Sequence, residues 1–205
     1  MAIVPAGGRS RRLGGLVGPG GKAALEIGGD SLLGRVCRVL VAEAGRVIVV
    51  TAAGRPLPQL PDQVEVIIDR EPDLGPLAAI RDGLAHAVAT GEHPPRQALL
   101  ISCDLPQLTV ELVRRLIERL AAVGRGWVVP LVAEEPQLLC SAISVDLLSM
   151  IEAAVAADRR SLRGLLAELA ASDPQAVDLV AGAALVESEA DLRGFADIDT
   201  PADLP

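Results

Sequence analysis

Seven glycines and four cations stand in the first 22 residues without a single carboxylate: Gly7, Gly8, Gly14, Gly15, Gly18, Gly20 and Gly21, with Arg9, Arg11, Arg12 and Lys22. Glycine removes the side chain where backbone must approach a ligand, and successive free N–H groups converge on an anion. In a chain of net charge −8, this segment is arranged for a polyphosphate, and a nucleoside triphosphate is the partner such chemistry implies. Carboxylates appear later in a different setting. Asp69 follows the strand-like segment Val64 to Ile68, Asp104 stands between Gln97 to Ser102 and Leu105-Pro106, and Asp197 and Asp199 are separated by one residue near the end. A carboxylate that follows a buried strand sits at the carboxyl edge of a sheet, where open α/β folds bind ligands.

Two familiar phosphate loops are excluded by spacing. For G-x-x-x-x-G-K-(S/T) ending at Gly21-Lys22, Leu16 stands where glycine is required and Ala23 where Ser or Thr is required. A G-x-G-x-x-G match through Gly18 and Gly20 puts Ala23 in third place and lacks a strand directly before it. The segment Pro5-Ala6-Gly7-Gly8-Arg9-Ser10-Arg11-Arg12-Leu13-Gly14, followed by Lys22, instead resembles the opening of the MobA-like nucleotidyltransferases, L-A-G-G-x-S-x-R-M-G-x-x-K. It departs at Pro5, which lacks an N–H, and in the stretch Gly15 to Gly21, which sets Lys22 further from Gly14 than the family does. Asp69 with Leu74-Gly75-Pro76-Leu77-Ala78-Ala79-Ile80 is similar to the family's D-x…G-P-L-A-G-I, and Cys103-Asp104-Leu105-Pro106 to its C-D-x-P. Pro136 to Ile143 resembles R-P-Q-P-L-C-A-L, the segment that lines the acceptor side, without its Arg and second Pro. Arg160-Ser161-Leu162-Arg163 matches R-S-L-R, and Phe195 to Leu204 matches F-x-N-x-N-T-P-E-D-L with Asp197 and Asp199 in place of both Asn.

The elements that must carry these residues follow from the apolar pattern. Ala2 to Pro5 reads as a strand feeding the loop, and Asp30-Ser31 caps a helix whose face is Leu32, Leu33, Val36, Val39 and Leu40, closed by Gly45. Arg46 to Thr51 is a β-branched run suited to burial on both faces of a parallel sheet. Ala52 to Asp62, with Pro56, Pro58 and Pro61, is a loop. Strands are expected at 64–68, 97–102 and 127–132, and helices after Pro76 and Thr109 and at about 145–156 and 161–171. The alternation predicts an α/β fold, three-layered and doubly wound with a mostly parallel sheet, in one domain spanning 1–205. The resemblance implies the Rossmann-like nucleotide-diphospho-sugar transferase fold.

Composition narrows the function classes. Trp127 and Phe195 are the aromatic residues and there is no Tyr, so stacking platforms for single-stranded nucleic acid are missing, and the acidic balance opposes a polyanionic partner. Cys37, Cys103 and Cys140 are widely spaced and odd in number, which fits buried, reduced thiols. His86 and His93 lack a metal-ligand pattern. No apolar run reaches the length of a membrane span and no secretory signal is visible. The expectation is a cytoplasmic protein without nucleic-acid or membrane partners, a monomer or weak homo-oligomer.

The resemblance implies a Mg²⁺-dependent transferase that moves GMP from GTP to the phosphate of molybdopterin and releases pyrophosphate. By the same resemblance Arg12, Lys22 and Asp104 are catalytic. Pro5, Ala6, Gly7, Gly8 and Lys22 bind the triphosphate, Asp69 and Gly75 the nucleoside and acceptor region, and Asp104 the metal. Asp199 is a second metal ligand or part of a capped turn Asp199-Thr200-Pro201. If residues 197 to 199 form a strand, one of the two carboxylates faces the site and the other faces away. Glu134 and Glu135 oppose an acceptor phosphate, and Arg160 and Arg163 are the cations expected to offset them. CTP as donor and another phosphorylated acceptor remain open, with Thr51-Ala52-Ala53 standing where the family's Asn bears on guanine recognition; so does a nucleotide-binding protein without transfer, given the departures at Pro5, in Gly15 to Gly21 and in the acceptor segment.

Overall fold

The computed structural model describes residues 1–8, 17–72, 74–91 and 94–204. Along the chain run β1 (Ala2–Pro5), β2 (Glu26–Ile27), β3 (Asp30–Ser31), α1 (Leu32–Ala44), β4 (Val47–Thr51), β5 (Val64–Ile68), α2 (Pro76–Thr90) and β6 (Gln97–Ile101). They are followed by α3 (Val110–Val123), β7 (Trp127–Val132), β8 (Glu135–Pro136), β9 (Cys140–Ser144), α4 (Leu148–Ala156), α5 (Leu162–Ser172) and β10 (Val177–Ala181). Among the described residues the main sheet has the order β10-β7-β9-β6-β1-β4-β5, with β8 paired to β7. Pairs β1/β4, β1/β6, β4/β5 and β7/β10 are parallel, whereas β9 runs antiparallel between β6 and β7.

The central strands β1, β4 and β6 are buried from both sides because they are apolar at successive positions. Ala2, Val4, Val47, Val49, Leu99 and Ile101 pack with Leu33, Val36 and Leu40 of α1 and with Leu112, Val113 and Leu116 of α3. The alternate residues Ile3, Ile48, Val50, Ala98 and Leu100 pack with Leu77, Ile80 and Leu84 of α2, Ile151 of α4, and Leu162, Leu165 and Leu169 of α5. This is the expected three-layer, mostly parallel arrangement. α2 lies close to β1 because position 83 is glycine: a Cβ there would stand 2.7 Å from Ile3. Trp127 is fully buried, and its Nε1–H donates to Ser141 Oγ at 2.9 Å.

The helix caps follow the sequence. Ser31 Oγ accepts from Gly34 N at 3.1 Å and Thr109 Oγ1 from Leu112 N at 3.1 Å, satisfying donors that the first turn leaves free. All three cysteines are free and buried, and burial pushes each thiol up to about 12, so they are inert. Several details differ from expectation, among them β9 and β10, which join the sheet though neither was expected as a strand. Residues 145–147 form a separate 3-10 turn ahead of α4. Residues 195–199 form no strand.

Candidate active site

Chain ends that leave the sheet at its carboxyl edge build one cavity. Ala6 N–H bonds Val50 O at 2.8 Å, which keeps β1 in register past Pro5 and releases Gly7-Gly8 beyond the edge. Asp69 N–H bonds Thr51 O at 2.8 Å, so β5 ends beside β4 with its carboxylate next to Gly7; a Cβ on Gly7 would lie 3.9 Å from Asp69 Oδ2. Asp69 Oδ1 accepts from Glu71 N at 2.9 Å, and buried Asp82 of α2 holds the same turn by accepting Arg70 N–H at 2.8 Å. Gly75 caps α2 at φ 86 and ψ −178, a conformation that glycine alone adopts without strain, and Pro76 begins the helix.

On the other side of β1, Asp104 follows β6. It is 7% exposed, and its Oδ2 accepts from Lys22 Nζ at 2.6 Å. Lys22 also donates to Asp199 Oδ1 at 2.6 Å. Burial alone would lower the pKa of the Lys22 ammonium, but hydrogen bonds to Asp104 and Asp199 outweigh it and the net shift is upward. The chain end is brought here by Ile198 N–H, which bonds Asp104 O at 3.2 Å. One oxygen each from Asp104, Asp197 and Asp199 lies within 4.8 Å of the others. Asp104 Oδ1 is buried and has no hydrogen-bond partner. Partial burial, then the charges of Asp104 and Asp199, raise the pKa of Asp197. Burial chiefly raises that of Asp69 as well. Lys22 offsets part of the charge of the three acidic side chains, but the buried Asp104 Oδ1 is left without a hydrogen-bond partner, which is costly, and an all-oxygen donor set fits Mg²⁺ or Mn²⁺.

The cavity between these walls is about 620 Å³ and is lined by Pro5, Ala6, Gly7, Gly8, Lys22, Asp69, Gly75, Asp104 and Asp199, all nominated from sequence. Arg12, the remaining nominee, lies outside the described residues, as do Arg9, Arg11 and His93. The lining also includes residues that were not nominated as site residues, among them Arg55, Ser102 and Leu139. A second cavity of about 250 Å³ shares Ser102 and Leu139 and adds Pro136, Gln137, Leu138, Leu162, Phe195 and Asp197.

The end segment forms the capped turn and leaves the Asp199 carboxylate outside it. Thr200 caps a 3-10 turn at Pro201–Asp203 with Asp203, whose Oδ2 also accepts Asp199 N–H at 3.1 Å, while the Asp199 side chain turns to Lys22. Irregular backbone replaces a strand, so Asp197 and Asp199 converge instead of alternating, and Asp197 joins the site against expectation. Arg163 Nη2 donates to Glu135 and Arg160 Nε to Asp158. Arg163 therefore neutralises one of the two acidic residues directly. His86 pairs with Glu65, away from the carboxylate cluster.

Residues 2–174 match the family model of the MobA-like NTP transferase domain. The chain belongs to the MobA-like NTP transferase family. A probable molybdenum cofactor guanylyltransferase of Mycolicibacterium paratuberculosis is 34% identical to this family member over 200 residues, covering 95% of this chain and 93% of the relative. Molybdopterin-guanine dinucleotide biosynthesis protein A from Archaeoglobus fulgidus superposes with TM-score 0.74 at 20% identity, covering 98% of this chain and 93% of that one. Rv0371c from Mycobacterium tuberculosis H37Rv, solved in complex with manganese, superposes with TM-score 0.61 at 21% identity, covering 88% and 86%. At those identities the two structures establish the shared Rossmann-like fold of MobA-like enzymes. The chain is a nucleotidyltransferase by family.

Proposed function

We propose that this chain transfers a GMP unit from GTP to the phosphate of molybdopterin, with a divalent cation, Mg²⁺ in the cell, and release of pyrophosphate in the cytoplasm. The observation that carries the reading is Asp104: a buried carboxylate with one unpaired oxygen, beside Asp197 and Asp199, across a cavity from the Gly7-Gly8 turn. The 34% identity to a probable guanylyltransferase supports GTP and molybdopterin as the substrates.

In this reaction an oxygen of the acceptor phosphate attacks the α-phosphorus of GTP, and the bond from the α-phosphorus to the bridging oxygen breaks, leaving pyrophosphate. The chain needs to orient the two substrates and stabilise the charge that develops, with no covalent intermediate. The Gly7-Gly8 turn offers backbone without side chains to the triphosphate, while Asp69 and Gly75 face the nucleoside. Lys22 stands beside Asp104, where an ammonium offsets negative charge. A cation held by Asp104, Asp197 and Asp199 would polarise the α-phosphate and neutralise the leaving group. The second cavity, which mixes Ser102, Gln137 and Asp197 with apolar side chains, suits the body of the acceptor, since it meets the first at Ser102 and Leu139.

Incubation with GTP, Mg²⁺ and molybdopterin should yield the dinucleotide and pyrophosphate. Asp104→Asn should fold normally and lose about 100-fold or more of that turnover. Wild-type turnover in the variant would remove Asp104 from the reaction. NTP affinity without dinucleotide from the unaltered protein would leave a nucleotide-binding module.

A further inference from the structure

Arg55 was not nominated from sequence, because the Pro-rich stretch after β4 reads as an ordinary loop. In the structure it is a built part of the cavity wall. Arg55 N–H bonds Ala52 O at 3.2 Å across a tight turn, with Gly54 at φ +72, and this turn directs the side chain back over the end of β1. There Nη1 donates to Gly8 O at 2.7 Å. That bond uses one of five guanidinium N–H donors, and no carboxylate among the described residues pairs with the side chain. The other cation lining the cavity, Lys22, is engaged by Asp104 and Asp199.

We propose that Arg55 selects the base of the nucleotide, its free N–H fork donating to O6 and N7 of guanine. This rests on the reading that the cavity holds a nucleoside triphosphate. The sheet order assigns the position. Asp104 follows β6 on one side of β1, and Arg55 follows β4 on the other, two strand spacings or roughly 10 Å apart along the sheet edge. A nucleotide whose α-phosphate lay at the carboxylate cluster and whose base extended toward β4 and β5 would meet Arg55 and Asp69, which line the cavity there. The planar fork of arginine matches two adjacent acceptors, and guanine presents that pair as O6 and N7. Adenine puts an amino donor beside N7, so one arm of the fork meets a donor instead of an acceptor.

Calorimetry with GTP, GMP, ATP, CTP and 7-deaza-GTP on wild type, Arg55→Ala and Arg55→Lys tests the assignment. The wild type should prefer GTP to ATP and CTP, and should bind 7-deaza-GTP more weakly because N7 is missing. Arg55→Ala should lose about 10- to 100-fold for GTP and for GMP alike, keep its ATP affinity, and no longer distinguish 7-deaza-GTP from GTP. Arg55→Lys should recover little, because a point charge cannot fork. A loss larger for GTP than for GMP and equal for ATP would put Arg55 on the phosphates and overturn the proposal, as would unchanged affinities or a wild-type preference for CTP. A wild type that binds none of these nucleotides overturns the transferase reading itself.

Discussion

Lys22 occupies an unusual position for a cation expected to meet a triphosphate: its ammonium already bridges two carboxylates of the cluster, Asp104 and Asp199, at 2.6 Å each. An ammonium at that distance competes electrostatically with any second cation drawn to the same oxygens. Nucleotide phosphates would draw Lys22 away and so favour the divalent ion, and by linkage the ion would favour the nucleotide to the same degree. Lys22→Met should therefore bind Mn²⁺ about 10-fold more tightly without nucleotide, read by the loss of the free-ion signal in electron paramagnetic resonance. It should also lose more affinity for GTP than for GMP, and the mutual enhancement of Mn²⁺ and GTP should shrink to the part that direct metal–phosphate contact supplies. Unchanged Mn²⁺ affinity would mean that Lys22 and the metal use different faces of Asp104, for which the free Oδ1 leaves room.

Elements far from the carboxyl edge hold the frame that makes this geometry reproducible, and the joint of β4, β5 and α2 shows how. Arg46, just before β4, grips Glu65 of β5 with Nη2 to Oε2 at 2.8 Å and Nε to Oε1, and also donates to Ala87 O and Thr90 Oγ1 at the end of α2. The Arg46 hydrogen bonds pull the pKa of Glu65 down to about 2, with His86 assisting. A carboxylate lowered on folding stabilises the fold above its unfolded value of about 4.3 and loses that contribution as pH falls toward 2. Glu65→Gln should lower Tm by a few degrees at pH 7, by an amount that shrinks to nothing near pH 2, and should leave turnover intact. The carboxylate is 40% exposed, so screening keeps the effect small; a pH-independent difference would remove the ion pair as its cause. Which elements were legible in the sequence follows the same physics. β4 is apolar at every position before its terminal Thr51 because it is covered on both faces, and α1 and α3 carry capping hydroxyls, so these stand out. β9 mixes cysteine and serine with apolar residues, and β10 is a half-exposed edge; neither has a period of its own, and the antiparallel turn of β9 between β6 and β7 is set by tertiary pairing. Asp197 was missed because alternation assumes a strand, and Arg55 because nothing in a Pro-rich loop shows which way its side chain returns.

The site joins the two ends of the chain: Lys22 and Asp199 are 177 residues apart in sequence. The family model stops at residue 174, so Asp197 and Asp199 come from a segment beyond the matched region. Folding must therefore bring a terminal segment of an acidic chain, net charge −8, against a buried carboxylate. Phe195 and Ile198 anchor that segment, the first in the α1/α3 core and the second against Leu32, so apolar burial offsets the repulsion of three carboxylates. Partial burial and the charges of Asp104 and Asp199 oppose the ionisation of Asp197, and the nearby Lys22 ammonium offsets them only in part, so the net shift is upward. Function and stability then pull in opposite directions at this residue. Asp197→Asn removes the repelled charge while keeping the shape, so it should raise Tm by a few degrees in metal-free buffer. With Mn²⁺ and GTP the wild type should gain stability by mass action, and the variant should gain clearly less, so the order of the two melting temperatures should reverse. Thermal scans of both proteins with and without Mn²⁺ and GTP decide the matter. A variant that is less stable than wild type in metal-free buffer, or that responds equally to the metal, would take Asp197 out of the cation site and leave Asp104 and Asp199 as its acidic pair.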